Sequence, residues 1–259
     1  MMMLLACLAL LQEPSSVEAL IRRLDSEGVE ERERAASELI KRGGAILPEL
    51  EKAEAASGNA EVKGRLRDVI RDILVTPEVR GLIEKVTSGV WTWYGAPERP
   101  ALRDEMKLGI GRELLAVSAR KDSYERLVGK RGPGDLPDWK NAEEGIAALK
   151  KEGAAWCLAS GLYHSHYLVQ LKCAEALADL KDLRVAPALL DVASALAVPV
   201  EGSKSATVHG FRQNGIARAL DRLLGTSAAW PEGQNSEALR KALVVWREAY
   251  GRAVKPKSP

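Results

Sequence analysis

Two pairs of helical segments in this chain match each other at a fixed spacing, and an internal repeat of this kind leaves few folds open. VEERERAASELI (residues 29–40) aligns with AEVKGRLRDVIR (residues 60–71) at a separation of 31. CAEALADL (residues 173–180) aligns with IARALDRL (residues 216–223) at a separation of 43. Chains repeat at such spacings when each helical hairpin buries its apolar face against the next one. The sequence therefore predicts an all-α fold, an α-solenoid of stacked antiparallel hairpins.

The apolar residues of the N-terminal part follow a helical period. Val17, Leu20, Ile21 and Leu24 lie at positions i, i+3, i+4 and i+7, which places them on one stripe of an amphipathic helix. Glycines and short polar residues then separate further helices. We expect these helices to end near Gly43, Ala56 and Leu74, and a fifth to start at Pro77.

The chain divides by pattern into five parts. An apolar segment resembling a short secretion signal (residues 1–12) precedes N-terminal repeats (13–80), a divergent helical middle region (81–152), C-terminal repeats with a capping helix (153–251) and a disordered tail (252–259). The separation of 43 exceeds 31 by twelve residues, which we assign to a loop at residues 197–208. A second long loop is expected at residues 130–140, which contain two glycines and two prolines.

The overall composition excludes some partners. Lysine and arginine exceed aspartate and glutamate by only two charges, and binding to nucleic acid needs a basic face to neutralise phosphates. Residues 1–12 are uncharged but too short to span a bilayer. We therefore expect a protein without a membrane span that does not bind nucleic acid. If residues 1–12 act as a secretion signal the protein is exported from the cytoplasm, and if they only extend the first helix it is cytoplasmic.

ALADLKDLRVAPALLDVA (residues 176–193) resembles a HEAT repeat of the phycobilisome-lyase-like kind. Its first helix ends in Ala-Leu-x-x-Leu, and Arg-Val-Ala-Pro-Ala-Leu-Leu opens the second. Residues 17–74 resemble another such pair, and residues 220–251 resemble the closing segment of bacterial HEAT-repeat proteins. The resemblance implies a bacterial protein with a right-handed stack of about five or six hairpins and an extended concave surface.

The stretch WCLASGLYHSHYLVQLKC (residues 156–173) concentrates two cysteines and two histidines. Within one helix His164 and His166 would point about 200° apart, so they could not share a metal ion. A break near Ser165 would instead place Cys157 and Cys173 level across a hairpin. A disulfide, a shared metal ion and two core thiols all fit that arrangement. Core packing is favoured, because a free cysteine usually behaves as a small apolar residue.

The aromatic segment around residue 92 offers a candidate surface for a sugar or a peptide, although large rings also fill gaps between repeat blocks. The candidate binding surface comprises Trp91, Trp93, Tyr94, His164, His166 and His209. His209 has no nucleophile-elbow serine or cysteine nearby in the sequence. Phosphate loops, dinucleotide fingerprints and zincin motifs are absent from the sequence, as are the His-Glu pairs of deoxyhypusine hydroxylases, which are di-iron HEAT-repeat enzymes. We therefore predict no catalytic residue, metal or cofactor.

These observations predict a non-enzymatic scaffold or adaptor that binds a protein partner along its concave face. Three alternatives stay open. The phycobilin-lyase branch of the family implies a lyase or chaperone-like helper that hands a prosthetic group to a partner. A HEAT-like nucleic-acid binder of the alkylpurine-glycosylase kind would need a basic concave face. A sugar-binding role would rest on the aromatic segment around residue 92.

Overall fold

The structure is a computed structural model of the 259-residue chain, and it describes residues 15–87, 100–129, 139–198, 203–228 and 236–255. Of residues 203–207 it describes the backbone alone. Within these ranges the chain forms helices and no strand, so the all-α prediction is confirmed. None of the described helices combines the length and the apolar character needed to cross a membrane. The chain forms two compact units, which divide between Thr76 and Pro77.

The first unit consists of four helices that begin and end close to the predicted positions. They are α1 (Val17–Arg23), α2 (Val29–Arg42), α3 (Leu47–Ala56) and α4 (Ala60–Leu74). Ser16 and Asn59 cap α1 and α4, accepting hydrogen bonds from the amides of Ala19 at 3.2 Å and Glu61 at 2.9 Å. Such caps satisfy amide groups that have no partner inside the helix.

The packing of the first unit follows the repeat of 31 residues. α1 packs against α2 and α3 against α4, and across the two hairpins α2 contacts α4. Leu39 and Ile70, which the repeat pairs, are both buried, with 0% and 5% of their surface exposed. Matched helices of the two hairpins therefore share one apolar interface.

The second unit contains the middle region and the C-terminal repeats together. Its helices are α5 (Pro77–Thr87), α6 (Asp104–Ala116), α7 (Ser118–Val128), α8 (Trp139–Lys151), α9 (Ala155–Gly161), α10 (Tyr167–Leu180), α11 (Ala186–Leu196), α12 (Ser203–Leu224) and α13 (Ser236–Val254). α8 packs against α7 and α10, and α12 packs against α10, α11 and α13. α6 and α10 both contact the short helix α9.

Two of the predicted loops are shorter in the structure. The loop expected at residues 197–208 is wrong from Ser203 onward, because α12 begins there. Residues 203–208 contain neither proline nor glycine, so nothing in them prevents a helix. The loop expected at residues 130–140 is wrong at its end, where α8 already begins at Trp139. The disordered tail expected from residue 252 is wrong at its start, because α13 continues to Val254. The predicted break near Ser165 is confirmed, since α9 ends at Gly161 and α10 begins at Tyr167.

α7 and α8 approach each other closely at Gly145. A Cβ atom placed on Gly145 would lie 2.5 Å from the carbonyl oxygen of Ser123 and 2.7 Å from the amide nitrogen of Leu127. Both of these atoms belong to the backbone of α7, so they cannot turn aside as a side chain would. The absence of a side chain at Gly145 thus sets the distance between the two helices.

Candidate binding face

Three helices of the second unit, α8, α10 and α12, lie side by side with their C-terminal ends level. Lys150, in the last turn of α8, pairs with Asp179 near the end of α10, at 2.5 Å between Nζ and Oδ2. Arg222, in the last turn of α12, pairs with the other oxygen of the same carboxylate. One side chain of α10 therefore bridges its neighbours on both sides, and α8, α10 and α12 run parallel.

Aromatic rings mark the opposite end of the same helices. Trp139 is the first residue of α8, and its ring centroid lies 6.1 Å from that of His166, the N-cap residue of α10. His166 in turn stacks on Tyr167, with centroids 5.6 Å apart and planes 17° apart. All three rings are half-buried. The N-terminal ends of α8 and α10 are thus level as well.

α10 and α12 pack in the register of the 43-residue repeat. Asp179 and Arg222, which the repeat pairs, are in contact. The repeat pairs Gly215 with Lys172, and a Cβ atom on Gly215 would lie 2.1 Å from Cδ2 of the adjacent Leu171. In this register Phe211 is level with Leu168. Phe211 is the single phenylalanine of the chain and is 55% exposed, although burying a phenylalanine is normally favourable by about 1.5–3 kcal/mol.

We call the outer surface of α8, α10 and α12 the three-helix face. Its members on α10 and α12 are Leu168, Leu171, Glu175, Asp179, Phe211, Asn214, Arg218 and Arg222, all at least partly exposed. The N-terminal end of the face is apolar and aromatic, and the C-terminal end is charged. At the charged end, the hydrogen bond from Lys150 and the charge of Arg222 lower the pKa of Asp179. Lysine and arginine also suit the C-terminal ends of helices, where the helix dipole is negative.

A layer of buried polar side chains lies directly under the apolar end of the face. Its members are His164, Gln170, His209, Arg212 and Gln213, all of them buried. Nε of Arg212 donates a hydrogen bond to Oε1 of Gln170 at 2.7 Å, and Nε2 of Gln170 donates to the carbonyl oxygen of His164 at 2.5 Å. The first bond ties α12 to the N-terminal half of α10, and the second ties α10 to the loop before it. Buried polar groups are stable only when they are paired in this way.

A second set of bonds in the polar layer ties α12 to the end of α11. His209 and Gln213 lie one turn apart on α12, and both bond to the carbonyl oxygen of Leu196, at 2.9 and 2.7 Å. Because a carbonyl oxygen only accepts, Nε2 of His209 carries the proton. Burial lowers the pKa of His209, the hydrogen bonds to the backbone of Leu196 and Val198 partly oppose this effect, and the nearby charge of Arg212 adds to it.

A separate polar cluster surrounds the start of α9. The carboxyl of Glu113, on α6, accepts hydrogen bonds from the amides of Trp156 at 3.0 Å and Cys157 at 2.9 Å. Burial raises the pKa of Glu113, and the two amides partly oppose this effect. Tyr124 and Ser160 bond to each other at 2.9 Å, and Ser160 donates to the carbonyl of Cys157 at 2.7 Å. The polar atoms of this cluster pair within the core and hold α9 in place.

The structure places the predicted surface residues in three different settings. His166 lies on the three-helix face. His164 and His209 are buried, with 0% and 4% exposed, so the prediction that they belong to a binding surface is wrong for these two. Both are instead part of the polar layer. His209 bonds to the end of α11, and Nδ1 of His164 accepts from the amide of His166 within the loop before α10. Trp91, Trp93 and Tyr94 lie outside the described residues.

The two cysteines are buried free thiols in this structure, with no bond between them. Sγ of Cys173 lies against Gly161, where an added Cβ atom would be 2.3 Å away, so the thiol fills the crossing of α9 and α10. Burial raises the pKa of both thiols. Among the described residues no three histidine, cysteine, aspartate or glutamate side chains come together in a way that could hold a metal ion.

Three residues of this region were not singled out in the sequence. Trp139 falls within the predicted loop, and Arg212 looks like an ordinary surface residue of a helix. The repeat of 43 residues was a usable signal for Phe211, because it pairs this residue with Leu168 and so places it on the outer edge of α12.

A scan of the chain against protein-family models finds no match, and a search of the curated proteins finds none either.

Proposed function

We propose that the protein is a non-enzymatic, helical-repeat scaffold that binds a segment of a partner protein on its three-helix face. The observation that carries the proposal is the exposure of Phe211 on the three-helix face, at the level of the half-buried Leu168. Exposed apolar patches with a polar rim are typical of protein-binding sites, and aromatic anchors supply much of the binding energy there.

We further propose that both units are built as HEAT-like hairpin stacks. In support of this, helices that the repeats pair are packed against each other: α2 against α4 in the first unit, and α10 against α12 in the second. The register of 43 residues, which the Asp179–Arg222 ion pair reproduces, favours one repeating unit over an irregular bundle.

The charges on the face favour a protein partner over nucleic acid. The carboxylate of Asp179 offsets one of the two charges of Lys150 and Arg222, and Glu175 pairs with Lys172 on the same surface. A phosphate backbone binds where many cations are available at once. The paired charges instead form a polar rim beside the apolar end.

The proposal is tested by comparing two single substitutions on separate helices of the second unit. Phe211→Asp places a charge on the three-helix face, and Val244→Asp places the same charge on α13, where Val244 is 57% exposed. Each protein is immobilised and used to capture proteins from an extract of its native source, after circular dichroism has shown that it is folded. We expect a protein that the wild type and the Val244→Asp variant retain and the Phe211→Asp variant does not. Equal retention by all three would contradict the proposal.

A further inference from the structure

Phe211 is held in place by the polar layer beneath it. His209, Arg212 and Gln213 lie on the turn of α12 that carries Phe211, and they point inward while Phe211 points outward. Arg212 bonds to α10, whereas His209 and Gln213 share one carbonyl at the end of α11. The position of Phe211 on the face therefore depends on these side-chain bonds.

His209 is the one member of this turn whose charge can change near neutral pH. The charged group that acts on it from α12 is Arg212. The end of α11 presents the backbone of Leu196 and Val198 to it, and α10 contributes the uncharged Gln170 to the layer. The loop before α10 contributes the buried His164, whose carbonyl accepts from Gln170. The buried side chains of the neighbouring helix α13 are all apolar, namely Leu239, Ala242, Leu243, Trp246 and Ala249. Its charged Arg247 donates a hydrogen bond to Ser194 of α11, at the exposed side.

A proton on His209 would thus bury a second positive charge in a layer that already contains Arg212. Both burial and like charge disfavour the protonated form. In an open state, in which the first turns of α12 have left α11, water would solvate that charge. Acid must therefore shift the equilibrium toward the open state.

We propose that His209 is an acid-sensitive latch: its protonation releases the N-terminal half of α12 from α10 and α11 and withdraws Phe211 from the three-helix face. The loss of partner binding in acid rests on the proposed function of the face. The release of the helix does not, so it can be tested without a partner.

Hydrogen–deuterium exchange measures the release directly. Peptides from residues 203–216 are compared at pH 7.5 and 5.5 after correction for the intrinsic exchange rate, with peptides from α8 as an internal reference. With an ordinary histidine pKa of 6.5 in the open state, the protection of α12 should fall by up to about tenfold at pH 5.5. Protection of α8 should change less.

Two variants compare His209 with His166, which is the half-buried one of the two other histidines near this end of the helices. His209→Gln keeps a donor for the carbonyl of Leu196 but cannot be charged, so the protection of α12 should no longer depend on pH. His166→Gln removes a half-buried ring from the face, and its α12 should still lose protection in acid. The latch is disproved if the wild type keeps its protection at pH 5.5, or if the His209→Gln variant loses as much.

A measurement on the wild type guards against a variant that does not fold. Proton NMR of the ring of His209 should give a pKa below 6.5, with exchange of α12 increasing over the same pH range. A ring that titrates at or above 6.5, or that titrates without any change in α12, would overturn the proposal.

Binding experiments then distinguish this proposal from the one on which it rests. Both the proposed function and the latch are supported if partner retention requires Phe211 and the wild type loses the partner at pH 5.5 while the His209→Gln variant keeps it. If exchange shows the release but no retained protein depends on Phe211, the latch stands and the proposed function fails. If retention requires Phe211 at both pH values, the regulation of binding is refuted.

Discussion

The close approach of α7 and α8 gives the sharpest test of the packing, because one methyl group should be enough to disturb it. Gly145→Ala would place a Cβ atom 2.5 Å from the carbonyl oxygen of Ser123 and 3.0 Å from Cβ of Arg126. Ordinary contacts of a Cβ atom begin near 3.4 Å. The two helices must therefore move apart by about 1 Å.

The cost follows from the side chains at this crossing. Tyr124, Leu127 and Leu149 are all fully buried here, and a gap of about 0.5–1 Å forfeits a quarter to a half of each dispersion contact. Overpacking of this kind costs about 1–3 kcal/mol. The higher helix propensity of alanine relative to glycine offsets at most about 1 kcal/mol of this cost. Because the obstructing atoms belong to the backbone, we expect a net loss of about 2 kcal/mol.

The control is the same substitution at a glycine with open space around it. A Cβ atom on Gly81, in α5, would meet no atom within 4 Å, so Gly81→Ala should stabilise the protein by about 0.5–1 kcal/mol. The two variants should shift the midpoint of urea denaturation in opposite directions, as followed by far-UV circular dichroism. A Gly145→Ala variant as stable as the wild type would show that α7 and α8 do not meet as described.

Four further outcomes are expected from other parts of the molecule. Glu113→Gln leaves one buried amide of α9 without its carboxylate partner, so the free energy of unfolding should fall by about 1–3 kcal/mol. Burial raises the pKa of Glu113, so the folded state holds this proton more tightly than the unfolded state does. The wild type should therefore gain stability as the pH falls through the raised pKa, and the gain should be complete below pH 4.5. Urea denaturation at several pH values should show this gain in the wild type and not in the Glu113→Gln variant. Cys7, the third cysteine of the chain, is first replaced by serine so that only Cys157 and Cys173 can react. Without reductant, a thiol reagent should leave both unmodified in the folded Cys7→Ser variant and modify both after denaturation; a denatured chain with no reactive thiol would show a disulfide. Asp179→Asn should cost no more than about 1 kcal/mol, and less in 1 M salt, because the ion pairs it breaks lie at the surface.

Local signals in the sequence were sufficient to locate the helices of the first unit. The apolar stripe that begins at Val17 and the breaks near Gly43 and residues 57–59 fixed the boundaries of α1 to α4 within a few residues. The break near Ser165 was predictable for the same reason. These features act over a few neighbouring residues, so they can be read from the sequence alone.

The boundaries of the second unit were harder to predict. The proline and glycine between residues 197 and 208 favoured a loop, yet the helix begins again at Ser203 as soon as these residues end. α7 lacks a regular apolar stripe and went unpredicted. Its inner side includes Ser123 as well as Tyr124, so tertiary contacts with α8 decide its conformation.

The candidate face depends on contacts that no local pattern reveals. Lys150, Asp179 and Arg222 come from three different helices. Asp179 is 29 residues from Lys150 and 43 residues from Arg222 in the sequence. The polar layer was missed because Arg212 and Gln213 belong to residue types that normally lie at the surface. Only the packing of α10, α11 and α12 shows that their partners are also buried. The repeat of 43 residues did contain the register that places Phe211 beside Leu168.

The affinity of the captured partner for three forms of the protein tests the central claim most directly. Isothermal titration calorimetry should show that Phe211→Asp weakens binding by at least about tenfold, as expected for the loss of an aromatic anchor. Val244→Asp, which adds the same charge at an equally exposed position of α13, should leave the dissociation constant unchanged. A partner that binds the Phe211→Asp variant as tightly as the wild type would contradict the assignment of the three-helix face as the binding site.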